Sequence, residues 1–133
     1  MINIENWRKL QDQLLVMDGN FDMGHWLKPD RPGETAEEAI LPECRTVACL
    51  AGTAYLLALL EEDPQALISA AEDEVEFTAR KWLGLNDPEA EHVFYGHWSP
   101  VSKQGMYLCR ISRQDAIEYV KEVIRQGSVY IGS

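Results

Sequence analysis

Cys44 and Cys49 bracket the nine-residue stretch Cys44-Arg45-Thr46-Val47-Ala48-Cys49-Leu50-Ala51-Gly52, which holds two of the chain's three cysteines. Unpaired amides at a helix N-terminus, the helix dipole and a neighbouring guanidinium all favour a thiolate. Cys44, just ahead of an apolar run that starts at Thr46, is therefore the candidate nucleophile, with Arg45 beside it. Such a thiol needs a base, and His25 or His97 would supply it. Gly-His-Trp occurs at 24–26 and again at 96–98. One reading pairs the two histidines across a site. The preferred reading is structural: the glycine ends one element, the tryptophan anchors the next loop, and the histidine satisfies local hydrogen bonds.

Metal binding asks for a different pattern. Cys44 and Cys49 are five residues apart, so on a continuous helix they would point about 140° apart. Adding His25 and His97 would complete a tetrahedral set, but no C-x2-C or H-x3-H pair supports one. Neither a metal nor a cofactor is expected. Packing explains more of the stretch. Ala48, Ala51, Gly52 and Ala54 are small residues that let a neighbour approach closely, and Cys49 behaves as a small hydrophobe among them. A glycine inside a helix costs about 1 kcal/mol relative to alanine, so Gly52 implies that a β-carbon would clash there. Thr46 caps the start better than Cys44, because a hydroxyl accepts an amide proton better than a thiol does.

The elements that must position these residues read as helices. Asn3 can cap a first helix with Ile4, Trp7, Leu10, Leu14 and Met17 on one face. Residues 34–43 form a loop or a single helical turn. The run from Thr46 to Leu60 is uncharged for 15 residues and predicts a central helix contacted on most sides. Leu67, Ala71, Val75, Ala79 and Trp82 continue with helical spacing, Glu76 and Arg80 form an exposed i,i+4 pair, and Gly84 supplies a left-handed stop. Asp87 followed by Pro88 opens a short helix. Ser112 and Asp115 open the last helix, with Ala116, Ile117, Val120, Val123 and Ile124 on one face before Gly127. Residues 106–111 and Val129-Tyr130-Ile131 are β-prone and predict a small two-stranded ribbon near the C-terminus. The expected fold is a mainly α single domain spanning 1–133, with five or six helices around the central helix at about 46–60.

Composition agrees. Apolar residues make up 46% and charged residues 26% of 133, average values for a globular domain. The uncharged run is shorter than the ~20 residues of a membrane helix. The N-terminal stretch has the spacing of one helix face and not of a signal peptide, so a cytoplasmic protein with reduced thiols is expected, and Cys109 reads as a small buried residue. The net charge is −10 and regional: residues 61–91 hold ten acidic side chains against Arg80 and Lys81, whereas 92–133 hold three against five bases. Such a surface repels phosphate backbones, so no direct nucleic-acid binding is expected. A net acidic surface also simply keeps a protein soluble.

Phe21-Asp22-Met23 with Trp26, the Cys44-x-Thr46-x-x-Cys49-Leu50-Ala51-Gly52 motif, Trp82-Leu83-Gly84-Leu85 with Val93-Phe94-Tyr95, and Ile111-Ser112-Arg113-Gln114-Asp115-Ala116 together resemble a group of small bacterial and phage proteins of uncharacterised function. The likeness touches most of the chain in order, and the cysteine motif is its distinctive part. In that group glycine is common where this chain has Arg45. The resemblance implies no activity, cofactor or catalytic residue. The residues thus lead to a non-enzymatic interaction or regulatory module with the acidic 61–91 surface as its contact face, Glu72, Asp73 and Glu76 on it. The rivals are a thiol enzyme or switch using Cys44 with His25 or His97, and a metal-binding protein.

Overall fold

The computed structural model describes residues 2–17, 21–41, 46–99 and 111–130. Among them the fold is mainly helical with one small antiparallel ribbon. Its elements are α1 (Ile4–Val16), β1 (Leu27–Lys28), α2 (Ala36–Ala39), β2 (Val47–Ala48), α3 (Leu50–Glu62), α4 (Glu72–Leu83), α5 (Asp87–Phe94) and α6 (Arg113–Gln126).

The amphipathic helices follow their periodicity. Trp7, Leu10 and Leu14 are fully buried on α1, and the Asn3 side chain accepts the Asn6 amide at 3.1 Å. On α6 Ala116, Ile117, Val120 and Val123 face inward, and Ser112 with Asp115 forms a reciprocal capping box. Gly84 and Gly127 close α4 and α6 at φ 74° and 70°, a left-handed conformation that suits a residue without a β-carbon. The single turn of α2 is held by a capping box between Thr35 and Glu38. At α5 the cap is Asn86, one residue ahead of the expected Asp87. Its Oδ1 accepts the Glu89 amide at 2.9 Å, and Pro88 sits within the first turn.

The central helix is α3, buried from Leu50 to Leu56 on all sides and packed against α1, α2, α4 and α5. It begins at Leu50, four residues later than expected. Thr46 does not cap it. Val47 and Ala48 instead pair with β1, Leu27 opposite Ala48 and Lys28 opposite Val47. A uniformly apolar run carries no period, so its first residues can join a strand without breaking any pattern. The Thr46 hydroxyl is buried, accepts the Asp30 amide at 3.0 Å and donates to the buried Glu34 carboxylate. The ribbon expected near the C-terminus falls largely on residues 106–110 and 131, outside those described.

Two junctions lock the helices together. At one, Asn3 N and Trp7 Nε1 donate to the Leu83 carbonyl at 2.9 and 3.2 Å, and Asn6 Nδ2 donates to that of Trp82 at 2.7 Å. The start of α1 thereby satisfies carbonyls that the end of α4 leaves open. At the other, Arg113 at the start of α6 donates to the carbonyls of Leu14, Leu15 and Met17, closing α1. Tyr119 fixes the remaining side. It stacks on Trp98 at 4.3 Å, meets Trp7 edge-on at 6.5 Å and donates to the Val129 carbonyl at 2.8 Å.

Candidate functional site

The thiol at a helix start is Cys49. It is the N-cap of α3: its sulfur accepts the Gly52 amide at 3.5 Å and its S–H donates to the Trp26 carbonyl at 3.6 Å. The helix amides draw its pKa down, but burial dominates and pushes the thiol up to about 11. A sealed, neutral thiol is not a nucleophile at pH 7. Cys44 and Cys109 lie outside the described residues. α3 begins at Leu50, so the N-terminus of this helix lies at Cys49.

The histidines go separate ways. His25 is exposed, its Nδ1 3.0 Å from Asp22 Oδ2, while Asp22 Oδ1 accepts the Gly24 amide at 2.8 Å. His97 is exposed on the turn after α5, its ring 6.3 Å from that of His92 and 6.4 Å from that of Tyr95. The two tryptophans of the repeated Gly-His-Trp are anchors. Trp26 meets Phe94 and Tyr95 edge-on at 6.0 and 5.7 Å, and Trp98 donates from Nε1 to the Val93 carbonyl at 2.9 Å. Among the described residues no group of three His, Cys, Asp or Glu side chains could hold a metal ion. The enclosed pocket between α1, α2 and α3, bordered by Gln13, Met17, Thr46 and Thr53, has about 30 Å³ of space, room for one or two waters and far below a metabolite site.

The acidic surface has more structure. Glu72, Asp73 and Glu74 occupy the first turn of α4, and Arg80 and Lys81 its last, the arrangement the helix dipole favours. With Val75, Ala79 and Leu83 buried, the i,i+4 rule divides the exposed part of the helix. Glu72 and Glu76 face α5. Together with Glu91 they add to the effect of burial in raising the Tyr95 phenol above its ordinary range. The expected Glu76–Arg80 pair is replaced by an ion pair between Arg80 and Asp87, which the short turn after Gly84 brings alongside. Asp73, Phe77 and Lys81 form the outermost row. None of Glu72, Asp73, Glu74 and Glu76 has an ion-pair partner among the described residues.

Phe77 did not stand out in the sequence. The residue is 53% exposed, with the Lys81 amine 5.2 Å and the Arg80 guanidinium 5.7 Å from the centre of its ring. Leu67, on the connection into α4, is 68% exposed. The signal was present: an aromatic between Asp73 and Lys81 at i,i+4 stands on the polar row of an amphipathic helix. Two open hollows flank it along the seam between α3 and α4. One, of about 600 Å³, is bounded by Tyr55, Leu59, Leu67, Asp73, Glu74 and Phe77. The other, of about 570 Å³, is bounded by Ala58, Glu61, Glu62, Phe77, Lys81 and Trp82. In the second, Glu61 is engaged by Lys9 at 2.7 Å and by Trp82 Nε1 at 3.1 Å. Comparison with protein-family models, curated proteins and solved structures finds no match to this chain, so the functional reading rests on this surface.

Proposed function

We propose that this protein is a non-enzymatic cytoplasmic interaction module whose contact face is the acidic solvent side of α4, with Asp73 on its outer row and Glu72 and Glu76 on the flank toward α5. The observation that carries the reading is the exposed Phe77 standing among carboxylates that have no ion-pair partner among the described residues. An aromatic at the centre of a charged surface combines the two parts of a recognition site. The charge steers a basic partner and selects against acidic ones, and the ring supplies an anchor that gains by leaving water. The free, buried thiol of Cys49 agrees with a reducing compartment.

The test is capture of a partner from lysate by the wild-type chain and by the triple variant Glu72→Lys/Asp73→Lys/Glu76→Lys. Capture should be lost in the variant while the chain stays folded, its melting temperature falling only by what two reversed charges at the start of α4 cost the helix dipole, because these side chains lie outside the packed core. Unchanged capture by the triple variant refutes the reading.

A further inference from the structure

We propose that the seam between α3 and α4 receives a basic amphipathic helix of a partner protein, with one apolar side chain seated in the Leu67–Phe77 hollow and a second, one turn away, in the hollow beside Trp82. This deepens the interaction-module reading and rests on it. The spacing comes from α4 itself. The first hollow is bordered on α4 by Asp73, Glu74, Phe77 and Thr78, the second by Phe77, Thr78, Lys81 and Trp82, a displacement of four residues. Four residues of helix advance about 6 Å, the distance between side chains at i and i+4 on a helix laid along the seam. Both hollows are open to solvent and bordered in part by apolar side chains, Leu59, Leu67 and Phe77 at one and Ala58, Phe77 and Trp82 at the other, so an apolar side chain can lie in each.

Charge selects the occupant. Glu61, Glu62, Asp73 and Glu74 border the two hollows against Lys81 and the Lys9 amine held on Glu61, so the seam is net negative. A second copy would bring the same carboxylates against themselves on a chain whose net charge is −10, which disfavours self-association. A helix bearing lysines or arginines complements the seam, most of all beside Asp73 and Glu74, which have no ion-pair partner among the described residues. At the other end Lys81 already leans on the Phe77 ring at 5.2 Å, and a polar or acidic side chain fits there better than a basic one. The partner helix therefore carries its basic residues toward the start of α4.

The probe is a short fluorescent peptide with leucines at i and i+4 and lysines flanking the leucines at one end, measured by anisotropy against a scrambled peptide of the same composition. The wild-type protein should bind the patterned peptide about tenfold or more tighter than the scrambled one. Leu67→Ser and Phe77→Ser should each remove about tenfold, the effect of losing a central anchor. Asp73→Lys/Glu74→Lys should weaken both peptides. Leu67 and Phe77 are exposed, so these variants keep the fold, and a melting curve for each verifies it. Equal affinity for the two peptides, with sensitivity to charge reversal but not to Phe77→Ser, overturns the seated helix and leaves the acidic contact face standing. No binding of either peptide also overturns the helix proposal, while the lysate experiment separately decides the module. A dimer in sedimentation that Phe77→Ser dissociates makes the occupant a second copy and overturns the proposal as well.

Discussion

Gly52→Ala sets two opposing effects against each other. Helix propensity alone favours alanine inside α3 by about 1 kcal/mol. A β-carbon built at Gly52, however, would lie 1.8 Å from the Trp26 carbonyl oxygen and 2.9 Å from the Ala48 β-carbon. Even a close C–H···O contact keeps carbon and oxygen about 3.3 Å apart, so the carbonyl must retreat by about 1.5 Å. It has little freedom to do so. The next residue, Leu27, pairs with Ala48, the Trp26 carbonyl accepts the Cys49 S–H, and the Trp26 ring is wedged against Phe94 and Tyr95. Forcing atoms into a packed site costs about 1–3 kcal/mol, and loosening the ribbon adds to that. We expect a net loss of about 2 kcal/mol, a fall in melting temperature of about 6–10 °C for a domain of this size. Urea unfolding followed by tryptophan fluorescence and by circular dichroism gives the value directly. A variant as stable as the wild type, or one stabilised by about the propensity term, would refute the close approach of α3 to the segment before β1.

Two further substitutions probe other parts of the fold. Arg113→Met keeps the aliphatic stem but removes the donors to the Leu14, Leu15 and Met17 carbonyls, and should cost about 1.5–3 kcal/mol in urea unfolding; a change within about 0.5 kcal/mol, what an uninvolved surface position gives, would show that these contacts do not close α1. The Cys49 thiol is pushed up to about 11 in the fold from an ordinary value of 9.0, so the unfolded chain ionises first and the folded chain holds more protons. Its contribution is intact below pH 9 and is lost as pH rises toward 11, about 2–3 kcal/mol in all. Cys49→Ser removes the titrating group while keeping a cap, so its stability should fall less steeply above pH 9 than that of the wild type. Parallel slopes in urea titrations on either side of that pH would contradict the burial argument.

Legibility in the sequence tracked the physics of each segment. On α1 and α6, three- and four-residue spacing of apolar side chains and a polar cap name the helix and its buried face, because an amphipathic pattern is the imprint of one-sided burial. Gly52 was legible for a related reason: a glycine inside a helix is tolerated only where something else occupies the place of its β-carbon. The start of α3 was not legible, since Thr46-Val47-Ala48 is uncharged like the residues after it, and Val47-Ala48 forms a strand whose partner lies far back in the chain, at Leu27 and Lys28. That shift of a few residues set the surroundings of Cys49. It gave the cap to Cys49, whose pKa is set by burial. On α4 the acidic residues were legible as a surface, but the division of that surface was not. Glu72 and Glu76 turn toward Tyr95 and Asp73 turns toward Phe77 because of where α3 and α5 lie, and residue type does not record that.

The division bears on how such a module can work. The forces that hold the fold lie elsewhere: the buried faces of α1, α3, α4 and α6, the carbonyls closed by Asn6, Trp7 and Arg113, and the tyrosine held between two tryptophans. The row Asp73, Phe77, Lys81 contributes little to that network, so its chemistry is free to be set by a partner. Phe77 also shows how an exposed aromatic is kept from indiscriminate association. Lys81 and Arg80 lie over its ring, and a charged neighbour on each side makes burial favourable only for a surface that satisfies both charge and shape. A purely apolar partner would strand the Lys81 amine and the Asp73 carboxylate away from water, at a desolvation cost that cancels what the ring gains. On the proposed reading, selectivity for an amphipathic helix with its basic residues at the start of α4 would come from the Asp73 carboxylate that any other partner leaves unpaired.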